Sequence, residues 1–311
     1  MYKMATTRWY DTETTSLEKA IDLLTDTVLD EDKQINISWK NWNSIKVFDE
    51  NPTLQLNGRD IEYNMIKVTF DQISASGQST EEIIVRKSIF VIVYYNGISV
   101  NYIISQNTSA QKLLRKLLSY TGKNEIEKNV FSFSSDFFVW LISKVYNCDN
   151  IIEPNNENLS NLQLESIEGF HGDTEDSQTK VSATGESVMN IISTLSFLLE
   201  SGRLNQIRLK LSYASHENIN LILKKDVVKI DFDSYQGSFE QDNNRDSIIA
   251  KLYLLVYLEI LPILNQEYHS DLANEIWNKD AYIKFMKNVA KNLTEKIETK
   301  TLYLNSIERE N

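Results

Sequence analysis

A single cysteine, Cys148, rules out a disulfide scaffold within the chain and makes a reducing cytoplasm the natural compartment. Glycine is scarce as well, at nine residues. That leaves little for the loops whose backbone N–H groups cradle phosphates, and neither a dinucleotide fingerprint nor a P-loop occurs. Gly-x-Ser-x-Gly, Cys-x-x-Cys and His-Glu-x-x-His are also missing, which removes the common hydrolase, thiol-redox and zinc-protease signatures. His171, His216 and His269 are far apart, and none has a second ligand at metal spacing. They read as surface residues, and no cofactor is expected. The first nine residues carry no apolar segment of a secretion signal. The nearest approach to a membrane span is 248–264, which Lys251, Glu259 and Pro262 interrupt. A central charge costs ~2.5–3.5 kcal/mol on insertion, so this stretch reads as a buried helix, and no membrane partner is expected.

The 311 residues suffice for one large or two ordinary domains. Forty-four acidic residues against 32 basic ones give a formal net charge of −12. Such a field repels nucleic acid at long range and disfavours a free-standing non-specific DNA binder, though a local basic face is compatible with it. Thirty asparagines, many isoleucines and lysines, and only three prolines suggest an AT-rich bacterial or mobile-element coding sequence.

Two β-hairpins, each followed by two apolar helices, organise the chain into an α+β fold of two subdomains. The first hairpin spans 89–104, with Asn96-Gly97 read as a two-residue type I′ turn between β-branched and aromatic runs. Its first strand is apolar on both faces, as a strand in the middle of a covered sheet should be. Helices at 110–121 and 135–147 follow, capped by Ser109 and by Ser134 or Ser135, and Gly122 stops the first. Upstream, a four-turn helix begins at Ser16 with Leu17, Ile21, Leu24 and Val28 on one face. Short strands at 35–39, 45–48, 53–56 and 61–70 come next. The polar, proline-containing stretch 148–161 divides an N-terminal domain, 1–150, from a C-terminal one, 162–311. There the reading is a strand at 162–167, a polar loop at 169–185, a helix at 186–200 and an antiparallel meander over 206–232. Two helices close the chain: 246–266, capped by Asp246 and kinked or ended by Pro262, and an amphipathic one at 280–300.

The candidate contact residues are basic. Lys284, Lys287 and Lys291 lie on the final helix, and Arg208 and Lys210 lead into the second hairpin. Together they are expected to form one basic surface able to touch a partner or nucleic acid. Trp39 and Trp42, flanking Lys40 and Asn41, have the composition of a base-stacking platform but are better read as core. The acids Asp231 and Asp233, two apart on a strand, share one face and could hold a divalent ion with a third ligand from Asp173, Glu175 or Asp176. That defines the alternative, a metal-dependent nuclease or phosphodiesterase. The main expectation is a non-catalytic cytoplasmic interaction subunit of a bacterial multiprotein assembly or homo-oligomer, in an antiviral or mobile-element setting.

Overall fold

The computed structural model describes residues 4–26, 32–33, 37–75, 82–106, 108–122, 124–129, 131–174, 180–184, 199 and 201–307. Two antiparallel sheets stand one in each half of the sequence, as an α+β chain of two subdomains requires. The first has the order β2-β3-β5-β6-β7-β1-β8, with β4 paired to β5. Its strands are β1 (Thr7–Asp11), β2 (Asp32–Lys33), β3 (Ile37–Lys46), β4 (Thr53–Leu56), β5 (Arg59–Ala75), β6 (Glu82–Tyr95), β7 (Val100–Ile104) and β8 (Ile126–Lys128). The second has the order β11-β10-β12-β13-β14, with β9 on β10 and β15 on β13. Its strands are β9 (Ile151–Ile152), β10 (Leu162–Thr174), β11 (Lys180–Thr184), β12 (Ser201–Tyr213), β13 (His216–Lys224), β14 (Val227–Ile230) and β15 (Gln236–Gly237).

Alternation decides what covers each face of the first sheet. Ile66, Val68, Phe70, Ile89, Val91 and Val93 point to α1 (Leu17–Asp26) and α2 (Ala110–Leu117). Tyr63, Met65, Phe90, Ile92, Tyr94 and Ile103 point the other way, into a larger core shared with the second sheet. Between the sheets lies α4 (Arg245–Ala273), while α3 (Ser135–Tyr146) packs on β10 and β12. Tyr253 of α4 touches both sides, with ring centroids 5.7 Å from Phe90 and 5.4 Å from Phe232. The boundary at 148–161 thus separates two sheets but not two cores. The last helix, α5 (Lys279–Ile307), packs its first turns on α3 and the end of α4.

α4 is long and apolar enough to cross a membrane, yet most of that stretch is packed inside the protein. The three residues that interrupt it are its joints. Lys251 pairs with Asp242 at 2.6 Å. Pro262 does not end the helix, which runs on to Ala273, and a π-helical segment, Val256–Ile260, precedes it. There the Leu261 N–H bonds the carbonyl of Val256, five residues back, so the next carbonyl, Tyr257, would need a donor at position 262, where proline has none. The Arg8 guanidinium of β1 supplies it, at 3.0 Å. Arg8 also donates to the Asn129 carbonyl at 2.6 Å and Asn129 Oδ1 at 3.0 Å, and it lies over the rings of Phe131 and Tyr257. Glu259, in the same segment, accepts from the Asn57 N–H in the β4–β5 turn and from the Tyr213 hydroxyl on β12. Burial raises its carboxyl above the ordinary range, against the lowering effect of these two donors. Thr6 completes the joint: its N–H and hydroxyl reach the Val228 carbonyl at 2.8 and 2.9 Å, linking β1 to β14.

Local readings differ from the structure at several places. Strands β6 and β7 are joined by four residues, 96–99, because Tyr95 pairs with Val100. The Asn96 carboxamide accepts from the N–H groups of Ile98 and Ser99, an Asx turn in place of a type I′ turn. The two-residue turn with both φ positive is instead Asn57-Gly58, between Leu56 and Arg59. Strands expected at 35–39 and 45–48 are one strand, β3, bent by a bulge where Asn41 has φ 52°. α1 spans Leu17–Asp26, and Val28 lies outside the described residues. α2 ends at Leu117 with Ser119 in the left-handed region, short of Gly122, and Ser109 makes no side-chain cap. Ser134 caps α3, accepting from Phe137 N–H at 3.1 Å. Asn244 caps α4 in place of Asp246, which pairs with Lys67. The expected polar loop at 169–185 contains the end of β10 and β11, held by backbone ladders that side-chain polarity does not reveal. The helix expected at 186–200 lies, apart from Leu199, outside the described residues.

Replacing Arg8 with leucine should destabilise the fold by about 2–4 kcal/mol, since it orphans a buried carbonyl and removes hydrogen bonds from a charged donor. Pro262→Ala restores an N–H, so the cost of Arg8→Leu should shrink in that background. Urea unfolding of the four proteins reads the coupling, and strict additivity would contradict the assignment.

Candidate functional site

Helical spacing in α3 sets Trp140, Ser143, Lys144 and Asn147 on one side of the helix. The end of α4 brings Asp271, and α5 brings Lys284, Phe285 and Asn288, around a cleft of about 290 Å³ that Trp277 also lines. At its floor Lys144 is buried among acids: Asp149 at 3.0 Å, Asp271 at 3.1 Å and Glu267 at 3.5 Å. Burial pulls the lysine pKa down, but the hydrogen bonds it donates to Asp149 and Asp271 outweigh this and hold the ammonium above its ordinary value. A lysine kept charged is neither base nor nucleophile. Two indoles clamp the surrounding helices: Trp140 Nε1 donates to Asp271 at 2.9 Å and Trp277 Nε1 to Asp136 at 2.9 Å. Tyr268 adds a second donor to Asp136 at 2.6 Å. The arrangement fixes α5 against α3 and α4 and offers Lys284 and Asn288 at the lip.

Beyond the cleft, α5 changes character. Phe285 and Val289 are buried, and the Asn292 amide reaches the Tyr146 hydroxyl on α3. After Val289 no described residue of α5 is buried. Ile297, Leu302 and Tyr303 are 50%, 71% and 56% exposed. Leu293 and Ile297 prolong the stripe of Met286 and Val289, with Lys296 and Lys300 beside them. The helix as a whole has six lysines against three acids, in a strongly acidic molecule.

Of the expected contact residues, Lys284, Lys287 and Lys291 share one side of α5, three and four residues apart. Lys291 pairs with Glu295 at 3.7 Å, both exposed. Arg208 and Lys210 are elsewhere. On β12 they alternate with the buried Ile207, Leu209 and Leu211, so they occupy the sheet face opposite the helices. There Arg208 pairs with Glu168 at 2.9 Å and Asp231 at 3.4 Å, and Lys210 pairs with Glu165 at 3.2 Å. The single basic surface expected from the sequence is therefore split by the second sheet.

Asp231 and Asp233 do not share a strand face, because β14 stops at Ile230 and the chain turns. Asp231 is buried against Arg208, and Asp233 pairs with Arg245 at 3.0 Å. Among the described residues no group of three or more His, Cys, Asp or Glu is placed to hold a metal; Glu175 and Asp176 lie outside them. Trp39 is core: it meets Trp42 edge-on at 6.0 Å, and Trp42 stacks on Phe70 at 4.5 Å. Cys148 is exposed. His171 lies in β10 and His269 in α4, while His216 is buried, not on the surface. Its Nδ1 lies 2.6 Å from the Tyr235 hydroxyl, and its ring packs on Phe239. Burial lowers its pKa to about 4. The chain matches no known protein family and no curated protein sequence.

Lys144→Met should cost about 3–5 kcal/mol, because Asp271 is left buried and uncompensated. Part of this should return in Lys144→Met/Asp271→Asn, as measured by chemical unfolding; no return would mean that charge is not the cause. His216 takes up protons more readily unfolded (6.5) than folded (about 4). Its contribution is therefore complete above pH 6.5 and falls with acidification toward pH 4, by on the order of 3 kcal/mol. His216→Gln should lose less stability than the parent chain over that range.

Proposed function

We propose that the chain is a non-catalytic, cytoplasmic interaction subunit of a bacterial multiprotein assembly, and that the distal half of α5 is its contact element. The observation that carries this reading is the continuation of a buried apolar stripe onto a helix end that nothing in the described chain covers. Leucine, isoleucine and tyrosine side by side with lysines suit an acidic amphipathic helix, whose apolar stripe would meet Leu293 and Ile297 while its carboxylates meet Lys296 and Lys300. Pairing α5 with its own copy would bring lysines against lysines, so a partner of opposite charge fits better. Composition supports a bacterial or mobile-element origin, and with it a setting in antiviral defence. A second reading, contact with nucleic acid, is favoured by Lys284, Lys287 and Lys291 on the outward side, as phosphate-contacting lysines would be arranged.

The test is gentle purification of the tagged protein from its native host, followed by mass spectrometry and ultraviolet absorbance of what accompanies it. A stoichiometric acidic protein should co-purify with the parent chain and be lost from Ile297→Asp/Leu302→Asp, with the unfolding midpoint unchanged because both positions are exposed. Retention of the same protein by the double variant would overturn the assignment of α5. Nucleic acid without protein, lost in Lys287→Glu/Lys291→Glu, would transfer the function to the second reading.

A further inference from the structure

β6 is paired along its full length on one side only. Its 14 residues, Glu82 to Tyr95, match β5 from Ala75 back to Glu62 without a register shift. On the other side β7 covers only Val91 to Tyr95. The last bonds on that side join Phe90 to Ser105: the Phe90 N–H donates to the Ser105 hydroxyl at 2.8 Å and the Ser105 N–H to the Phe90 carbonyl at 3.0 Å. Backbone groups on a strand face alternate edges, so those of Ser88, Arg86 and Ile84 point the same way as those of Phe90. Among the described residues none pairs with them. At the start of this stretch the side chains are apolar and uncovered, with Ile83, Ile84 and Val85 52%, 62% and 41% exposed, and the polar Arg86, Lys87 and Ser88 follow.

Natural sheets blunt such an edge with a proline, a bulge or a covering loop. This one has no proline and no bulge over the 14 residues. We infer that the β6 edge around Ile84 is a dimer interface, taken up by the same edge of a second copy in antiparallel pairing. The occupant follows from register. Outward-facing groups belong to even-numbered residues, so a two-fold axis through Ile84 makes Ile84 and its symmetry mate a hydrogen-bonded pair. Ile83 then stands opposite Val85 of the second copy, and Val85 opposite Ile83. All three exposed apolar residues meet apolar residues, as a self-complementary two-fold contact requires. The same register sets position 82, an acid, against Arg86, whose guanidinium already pairs with Asp71 of β5 at 3.0 Å. A foreign strand would have to supply this pattern; the chain already contains it.

This interface is separate from the distal half of α5, and the experiment tells them apart. The mass of the parent chain is followed by sedimentation or light scattering over a wide range of protein concentration. It should rise from 36.0 kDa toward twice that value. Ile84→Pro removes an N–H that the β5 ladder does not use, and Ile84→Lys sets like charges together at the axis. Both should remain at 36.0 kDa with the parent's circular dichroism and unfolding midpoint. Should the proline variant misfold, the lysine variant decides. A parent chain that stays monomeric throughout, or a folded Ile84→Lys protein that still dimerises, would overturn the inference. So would a dimer abolished by Ile297→Asp/Leu302→Asp but not by Ile84→Lys.

Discussion

The hydrogen bond from Arg8 to the Tyr257 carbonyl is the constraint on which the interior depends. α4 must pass between two sheets while carrying a proline, and a proline in a helix leaves a carbonyl without its donor. The π-helical segment moves that orphan to Tyr257, which faces β1. Arg8 meets the demand with a charge that has no carboxylate partner in the described chain. Its desolvation is offset by carbonyl acceptors and by the faces of Phe131 and Tyr257. A widened helical turn, a buried cation and strand β1 therefore stand or fall together. Glu259, two residues along, extends the same logic to the β4–β5 turn and to β12.

Polar residues in this core act as joints between layers. Glu259, Lys144, Asp136 and Asp271 each bridge elements distant in sequence, Lys251 ties α4 to the turn before it, and each is satisfied by specific partners. Satisfied buried polar groups add little net stability compared with apolar packing, but they restrict how the layers can slide. The interior is thus a fixed frame, and the exposed apolar side chains lie at its margins. One margin is a helix end rich in lysine, the other a strand edge rich in isoleucine. That division suits a protein whose work is contact with other molecules.

Much of this architecture is legible in the sequence. The apolar run of β6, the alternation of Ile207, Leu209 and Leu211, the meander over 206–232 and the buried helix at 246–266 all have strong local patterns, and each has its counterpart in the structure. β1 was not legible. Five residues with an arginine in second place resemble a polar lead-in, and only the distant Tyr257 carbonyl explains that arginine. Asn96-Gly97 misleads because a side chain, not positive backbone angles alone, shapes the turn. The continuation of β10 past Ile167 is hidden for a similar reason, since backbone ladders carry it. The cleft was hidden because Trp140 and Lys144 are separated from Asp271 by more than a hundred positions; a lysine inside an otherwise apolar helix was its only local sign. Arg208 and Lys210 illustrate the converse. Their charge is plain in the sequence, but their neutralisation by Glu168, Asp231 and Glu165 depends on strand register.

β1 begins at Thr7, while Thr6 bonds Val228 and Arg8 bonds Tyr257, more than two hundred residues later. During synthesis the first sheet can assemble its ladders and receive α1 and α2 on one side. Its other side, with Tyr63, Met65, Phe90, Ile92 and Ile103, has no cover until α4 has left the ribosome. The nascent chain thus carries a finished sheet with a sticky back from the completion of β8 until α4 emerges, and folding closes only then. A chaperone that shields apolar strands would find its longest exposure in this interval, before the arginine near the start of the chain meets the carbonyl that waits for it.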